Sequence, residues 1–199
     1  RDWNWRASGA GGHGKVNLEK AIYRSCNVYF YSLAVEMGID RLDDYLSLFG
    51  FGVNTTLDLP EARSGLLPNR EWKEDKRGLP WYPGDTVNIG IGQGDMLVTP
   101  LQLATAVTVI ANRGKWVSPR MLKSGSDLIE DSTVPRMDNI ELIPDPVWDL
   151  VIGAMEKVVH RGNQVYGENG TAWVYIGQDI EYRMAGKSGT AQVVGIKQG

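Results

Sequence analysis

Helix-starting devices occupy the first 160 residues of this chain, whereas clusters of β-formers gather only after residue 171. That asymmetry constrains the fold more than any other feature. Apolar or small residues at 18, 21, 22, 25, 26, 29 and 33 keep helical spacing, with Asn17 as cap and Gly38 as stop. Asp40 then caps a short helix that ends at Phe49-Gly50. Thr99-Pro100 sets a capping residue before a first-turn proline and predicts a helix through Leu101, Ala104, Val107 and Ile110 to Gly114. Asp145-Pro146 repeats the device and predicts a helix to about Arg161-Gly162. The glycine-dense stretch 7–14 predicts a flexible loop, and Val53 to Asp85, rich in Pro, Gly and charge, predicts an irregular surface excursion. Strands are expected over 171–176, 181–186 and 189–195. Helices followed by strands predict an α+β fold whose last strands pair antiparallel, with Lys187 to Thr190 on a sheet strand.

Several function classes drop out on composition. A net charge of -3 argues against nucleic acid, whose binders carry a basic footprint. No apolar run approaches the roughly 20 residues that cross a bilayer. The single cysteine excludes an internal disulfide. The opening Arg1-Asp2-Trp3 has no initiator Met and no signal-peptide pattern, which reads as an excised or processed piece.

Two short motifs carry chemistry. Lys187-Ser188-Gly189-Thr190 near the end and Ser25-Cys26-Asn27 near the start are two parts of the three-part serine acyl-transferase signature S-x-x-K, S-x-N, K-[ST]-G. Acyl transfer needs an activated nucleophile and donors aimed at the developing oxyanion. Lys187 fixes a carboxylate or holds a proton network, and Gly189 lets a substrate backbone come close. The Thr190 N–H can donate to an oxyanion, and the hydroxyls of Ser188 and Thr190 can bind a carboxylate. Ser25 can relay a proton, and Asn27 can hold a substrate amide. Taken singly, each motif reads first as a turn rather than a site: a helix-breaking Ser-x-Asn and an exposed Lys-Ser-Gly.

Further stretches join these motifs into one pattern: Gly90-Ile91-Gly92-Gln93-Gly94, Thr99-Pro100-Leu101-Gln102, Ala185-Gly186 before Lys187 and Ala191-Gln192 after Thr190. Asp58-Leu59-Pro60-Glu61, Ser64-Gly65-Leu66-Leu67-Pro68, Arg70-Glu71-Trp72-Lys73 and Trp81-Tyr82 with Gly84-Asp85-Thr86 extend it. With these residues the chain resembles the class B penicillin-binding proteins over essentially its whole length. Asp2-Trp3, Gly12-His13-Gly14, Arg70-Glu71-Trp72-Lys73 and Trp81-Tyr82 with Gly84-Asp85-Thr86 bring it nearest to their elongation-specific type.

The resemblance implies a penicillin-binding, serine β-lactamase-like transpeptidase fold, a central antiparallel sheet flanked by helices. It implies a D,D-transpeptidase that cross-links peptidoglycan stem peptides through a serine acyl-enzyme and is trapped by β-lactams. Ser25 and Asn27 would then line one wall of the cleft, with Lys187, Ser188, Gly189 and Thr190 on the other. The Gly90–Gly94 run would support the site from beneath. Expected partners are a membrane-embedded glycan polymerase and proteins of the elongation complex, at the periplasmic face of the inner membrane. No serine here is followed three residues later by lysine. The family places that pair upstream and continues with further strands, so residues 1–199 read as a partial domain, inactive alone.

No cofactor is expected for catalysis. Members of the elongation type resemble this chain in a further respect, a structural zinc beside the Ser-x-Asn turn. That likeness implies Asp2, His13 and Cys26 as ligands, although the Asp2–His13 segment is longer here, with extra residues around Asn4 to Ala10. From spacing alone His13 is a loop residue and Cys26 a small buried hydrophobe. His160 reads as a helix-end cation, the Glu71 to Arg77 run as a solvated face, and Trp72, Trp81 and Tyr82 as packing around a loop. A non-catalytic scaffold that kept the cleft is the competing reading. A β-lactam-hydrolysing relative fits less well, because the middle region matches synthases.

Overall fold

The computed structural model describes residues 12–56, 58–59, 61–121, 137–162, 165 and 167–191. The chain divides into two compact units, one of residues 1–32 and 149–199, the other of residues 33–148.

In the first unit, α1 (Leu18–Tyr23) starts where expected, with Asn17 accepting from the Lys20 N–H. It is far shorter than the apolar spacing predicts, because the chain turns at Ser25 before α2 (Asn27–Ser47) begins. Ala21, Ile22 and Tyr23 of α1 are buried, as are Ala154, Met155, Val158 and Val159 late in α6 (Asp145–His160). Each buried Ile, Val or Met among them contributes about 1.5–3 kcal/mol of burial. Lys157 on α6 pairs with Glu19 on α1 at 2.5 Å.

The segment after α6 departs from the strands expected there. Trp173–Gly177 forms one π-helical turn, with the N–H groups of Tyr175 and Ile176 both donating to the Ala172 carbonyl. Residues 181–191 form no strand ladder among the described residues, and 192–195 of the third expected strand lie outside them. A ladder needs a neighbouring edge to receive its amides. Here α6 receives them: Ala172 donates to the Val158 carbonyl, Gly186 to the Met155 carbonyl, and Met184 to His160 Nε2 at 2.9 Å.

In the second unit α2 breaks at Gly38, whose φ of 76° and ψ of 163° no continuous helix contains, so the predicted stop is correct. Asp40 lies inside the helix past that break, and its carboxylate accepts from Arg70 Nε at 2.8 Å. The expected irregular excursion holds two helices. Asn69 caps α3 (Arg70–Arg77) and Gly78 closes it in the left-handed region, and α4 (Pro83–Ile89) starts at its own proline. Those are ordinary helix signals, obscured in the sequence by the density of charge. Lys73 is buried, pairs with Asp85, and lies 4.8 Å from the Tyr82 ring centroid. Trp81 donates to Thr86 Oγ1, so these aromatics do pack around the loop.

The Thr99-Pro100 device works as predicted: α5 (Pro100–Ala111) carries a reciprocal capping box between Thr99 and Gln102. The buried Gln102 amide also donates to the carbonyls of Gly50, Val53 and Ser64 at 3.2, 3.1 and 2.7 Å. One helix-start residue thereby holds two loops. Gly65, at φ 64°, is packed so closely on the Leu97 carbonyl and Gln102 that a Cβ has no room there. Leu66 and Leu97 form the one antiparallel bridge among the described residues.

Candidate functional site

Ser25 is placed by the way α1 ends. Its N–H donates to the Ile22 carbonyl at 3.1 Å and the next N–H, of Cys26, donates to Ala21 at 2.9 Å. That pair of bonds is a Schellman closure with Arg24 as cap and Ser25 in the position glycine usually fills. Ser25 accordingly has φ 53°. A side chain in the left-handed region costs about 1–2 kcal/mol. The neighbouring Arg24 is buried, and its guanidinium donates to the Asn169 carbonyl at 2.5 Å.

Lys187 meets that hydroxyl. Its Nζ donates to Ser25 Oγ at 2.8 Å and to the Ser188 carbonyl at 2.8 Å, with Ser188 Oγ at 3.4 Å. An ammonium has three hydrogens and no acceptor, so these contacts direct the Ser25 hydroxyl proton away from Lys187. Desolvation around the ammonium holds its pKa below the ordinary lysine value. Ser188 also shares a hydrogen bond with Thr171 Oγ1 at 2.8 Å.

The other expected residues fall around this pair. Asn27 opens α2, half-buried, and among the described residues nothing pairs with its amide. Gly189 and Thr190 are exposed, and a Cβ built on Gly189 meets nothing within 4 Å. Open space there suits a substrate backbone running beside the chain. Cys26 is buried and His13 half-buried, whereas Asp2 lies outside the described residues. Among the described residues no three His, Cys, Asp or Glu side chains gather as a metal would need.

Sequence reasoning missed Glu168, Asn169 and Thr171. Glu168 accepts from Lys20 Nζ at 2.7 Å and from the Tyr23 hydroxyl at 3.1 Å. Burial would raise its pKa, but Lys20, Tyr23 and Arg161 together hold it below the usual carboxylate range. The Arg161 guanidinium lies 4.9 Å from the Tyr23 ring centroid and donates to the Glu168 carbonyl. His160, read as a helix-end cation, accepts the Met184 N–H instead. No motif marks these residues, because their partners lie far away in sequence.

The penicillin binding protein transpeptidase domain family matches residues 1–199. The chain is 39% identical over 204 residues to the peptidoglycan D,D-transpeptidase MrdA of Haemophilus influenzae, covering 100% of this chain and 29% of that protein. The crystal structure of Pseudomonas aeruginosa PBP2 in complex with WCK 5153 is 44% identical, with a TM-score of 0.80, over 97% of this chain and 41% of that one. The complex between PBP2 and MreC from Helicobacter pylori gives 31% identity and a TM-score of 0.74, over 97% of this chain and 33% of that one. The chain thus spans less than a third of the length of the curated relative. With a fold, a motif order and a whole-length match in common, this chain belongs to the penicillin-binding protein transpeptidase domain family, in its penicillin-binding protein 2 type.

Proposed function

We propose that these 199 residues are part of a longer serine-type D,D-transpeptidase that cross-links peptidoglycan stem peptides during cell elongation. The observation that carries this reading is the hydrogen bond from Lys187 to Ser25, which joins two motifs 162 positions apart. In this reading the nucleophilic serine, in a Ser-x-x-Lys pair, comes from a segment outside these residues. It attacks a D-alanyl-D-alanine carbonyl and is acylated, and an acceptor amine then takes the acyl group. Ser25 passes the proton between nucleophile and leaving amine, with its hydroxyl oriented by Lys187. Asn27 holds the substrate amide. Ser188 and Thr190 bind the substrate carboxylate, the Thr190 N–H completes the oxyanion hole, and Gly189 leaves room for the peptide.

β-Lactams would be trapped by the same acylation. Residues 181–191 would form an edge of the family's antiparallel sheet. Partners would be the elongation machinery, including an MreC-like protein and a glycan polymerase, at the periplasmic face of the inner membrane. The anchor would lie elsewhere, since no described helix is long and apolar enough to cross a membrane. A structural zinc held by Asp2, His13 and Cys26 with a fourth ligand is a separate proposal. Metal analysis of the longer protein finding no stoichiometric zinc rejects it.

Fluorescent penicillin tests the main reading. The longer protein should label covalently and residues 1–199 alone should not. A folded longer protein that fails to label rejects the transpeptidase reading in favour of a non-catalytic scaffold.

A further inference from the structure

Five residues of the first unit close a ring around the candidate site. The Thr171 N–H donates to the Tyr23 carbonyl at 3.2 Å, and its hydroxyl meets Ser188 Oγ at 2.8 Å. Lys187 then reaches from the Ser188 carbonyl to Ser25 Oγ, each at 2.8 Å. Tyr23 and Ser25 are two residues apart across the Schellman turn, so the ring returns to its start. Tyr23 and Thr171 lie outside both motifs, and of these two Thr171 is the one whose side chain enters the ring.

We propose that Thr171 is a positioning residue, whose backbone is fixed to α1 and α6 and whose hydroxyl sets where Ser188 and Lys187 stand relative to Ser25. The inference rests on the transpeptidase reading for its functional consequence.

The backbone around Thr171 is held on both sides. Gly170 donates to the Arg161 carbonyl at 2.9 Å and Ala172 to the Val158 carbonyl at 2.9 Å. Gly170 lies so close to the carbonyls of Lys157 and Val158 that no Cβ fits, which presses this stretch onto the last turn of α6. Just upstream, Glu168 takes Lys20 and the Tyr23 hydroxyl, and Asn169 takes Arg24. Residues 168–172 are therefore pinned to both helices. The segment carrying Lys187 is held differently. Its backbone bonds α6 at Gly186, and beyond that Lys187 and Ser188 make the side-chain contacts with Ser25 and Thr171. A threonine hydroxyl on a pinned backbone is a fixed point against which Ser188 can register. Lys187 binds the Ser188 carbonyl, so a shift of Ser188 moves the ammonium away from Ser25.

The test uses Thr171→Val, which keeps the shape and removes the hydroxyl, and Thr171→Ser, which restores it, both in the longer protein. The acylation rate constant for a fluorescent penicillin is expected to fall about tenfold in the valine variant, the size of one lost hydrogen bond. Reversible penicillin affinity stays near wild type, the loss of stability is no larger than that of one hydrogen bond, and the serine variant recovers most of the rate. A valine variant that acylates at the wild-type rate overturns the proposal, as does a serine variant as slow as valine. If the wild-type protein itself does not label, the transpeptidase reading has failed, and urea unfolding decides this one separately. A cycle of Thr171→Val and Ser188→Ala should then show non-additive effects on stability, and strict additivity rejects the coupling.

Discussion

Lys187 Nζ lies 2.8 Å from Ser25 Oγ. An ammonium held there by a hydroxyl and a carbonyl, with water partly excluded, titrates below an ordinary lysine because desolvation disfavours its charge. Between the depressed value and the ordinary one the unfolded chain binds more protons at Lys187 than the folded chain. The contribution of Lys187 to stability therefore rises with pH across that window. NMR of the reductively methylated protein should show an early-titrating lysine signal that vanishes in Lys187→Arg. An ordinary titration for every lysine contradicts the desolvated pair.

Ser25→Gly should separate stability from function. Glycine fits the left-handed position without the penalty a serine carries, so the variant should be more stable by about 0.5–1 kcal/mol. Penicillin acylation of the longer protein should nonetheless fall by about 10²-fold or more, because the proton relay is gone. Denaturant unfolding measures the first effect and labelling the second. A less stable variant would mean that the Ser25 hydroxyl, rather than its backbone, holds the turn.

At Gly189 the added methyl meets open space and an ordinary backbone. Gly189→Ala should leave stability within about 0.5 kcal/mol, as expected of a surface change that touches nothing. Acylation should drop about tenfold or more, since the methyl occupies the path of the substrate backbone. Unchanged acylation would place the substrate elsewhere.

Asp85 gives an acid limit in the other unit. Burial raises its pKa, but Lys73 and the Tyr82 N–H outweigh burial and leave it below the usual carboxylate range. The stability it contributes is complete above the ordinary carboxylate value and is lost as pH falls through the depressed one. Asp85→Asn leaves the buried Lys73 without its carboxylate and should cost about 3 kcal/mol at neutral pH, near the lower end for a broken buried pair. The cost should shrink on acidification, and equal costs at neutral and acid pH would show that the pair is not the cause.

Local signals in this chain carried far. Asn17, Thr99-Pro100 and Gly38 act within three or four residues, and each works as its residue type dictates. The continuous spacing from 18 to 33 misled, because Arg24-Ser25-Cys26 satisfy the apolar periodicity while their backbone closes one helix before the next. The charged run after Asn69 hid a helix for the opposite reason, since its caps were present but it has almost no apolar face. For 171–176, β-propensity gave the wrong element, because amides there bond the carbonyls of Tyr23 on α1, Val158 on α6, Gly170 and Ala172.

Residue types and their order supply the chemistry-bearing groups, Ser25, Asn27, Lys187, Ser188, Gly189 and Thr190. Tertiary structure alone decided that Lys187 touches Ser25, that Thr171 reaches Ser188 and that His160 receives Met184. The division follows from range. Caps and turns depend on dihedrals and partners a few residues away, so residue type specifies them. A hydrogen bond between positions 25 and 187 depends on the path of the whole intervening chain, which no local pattern encodes.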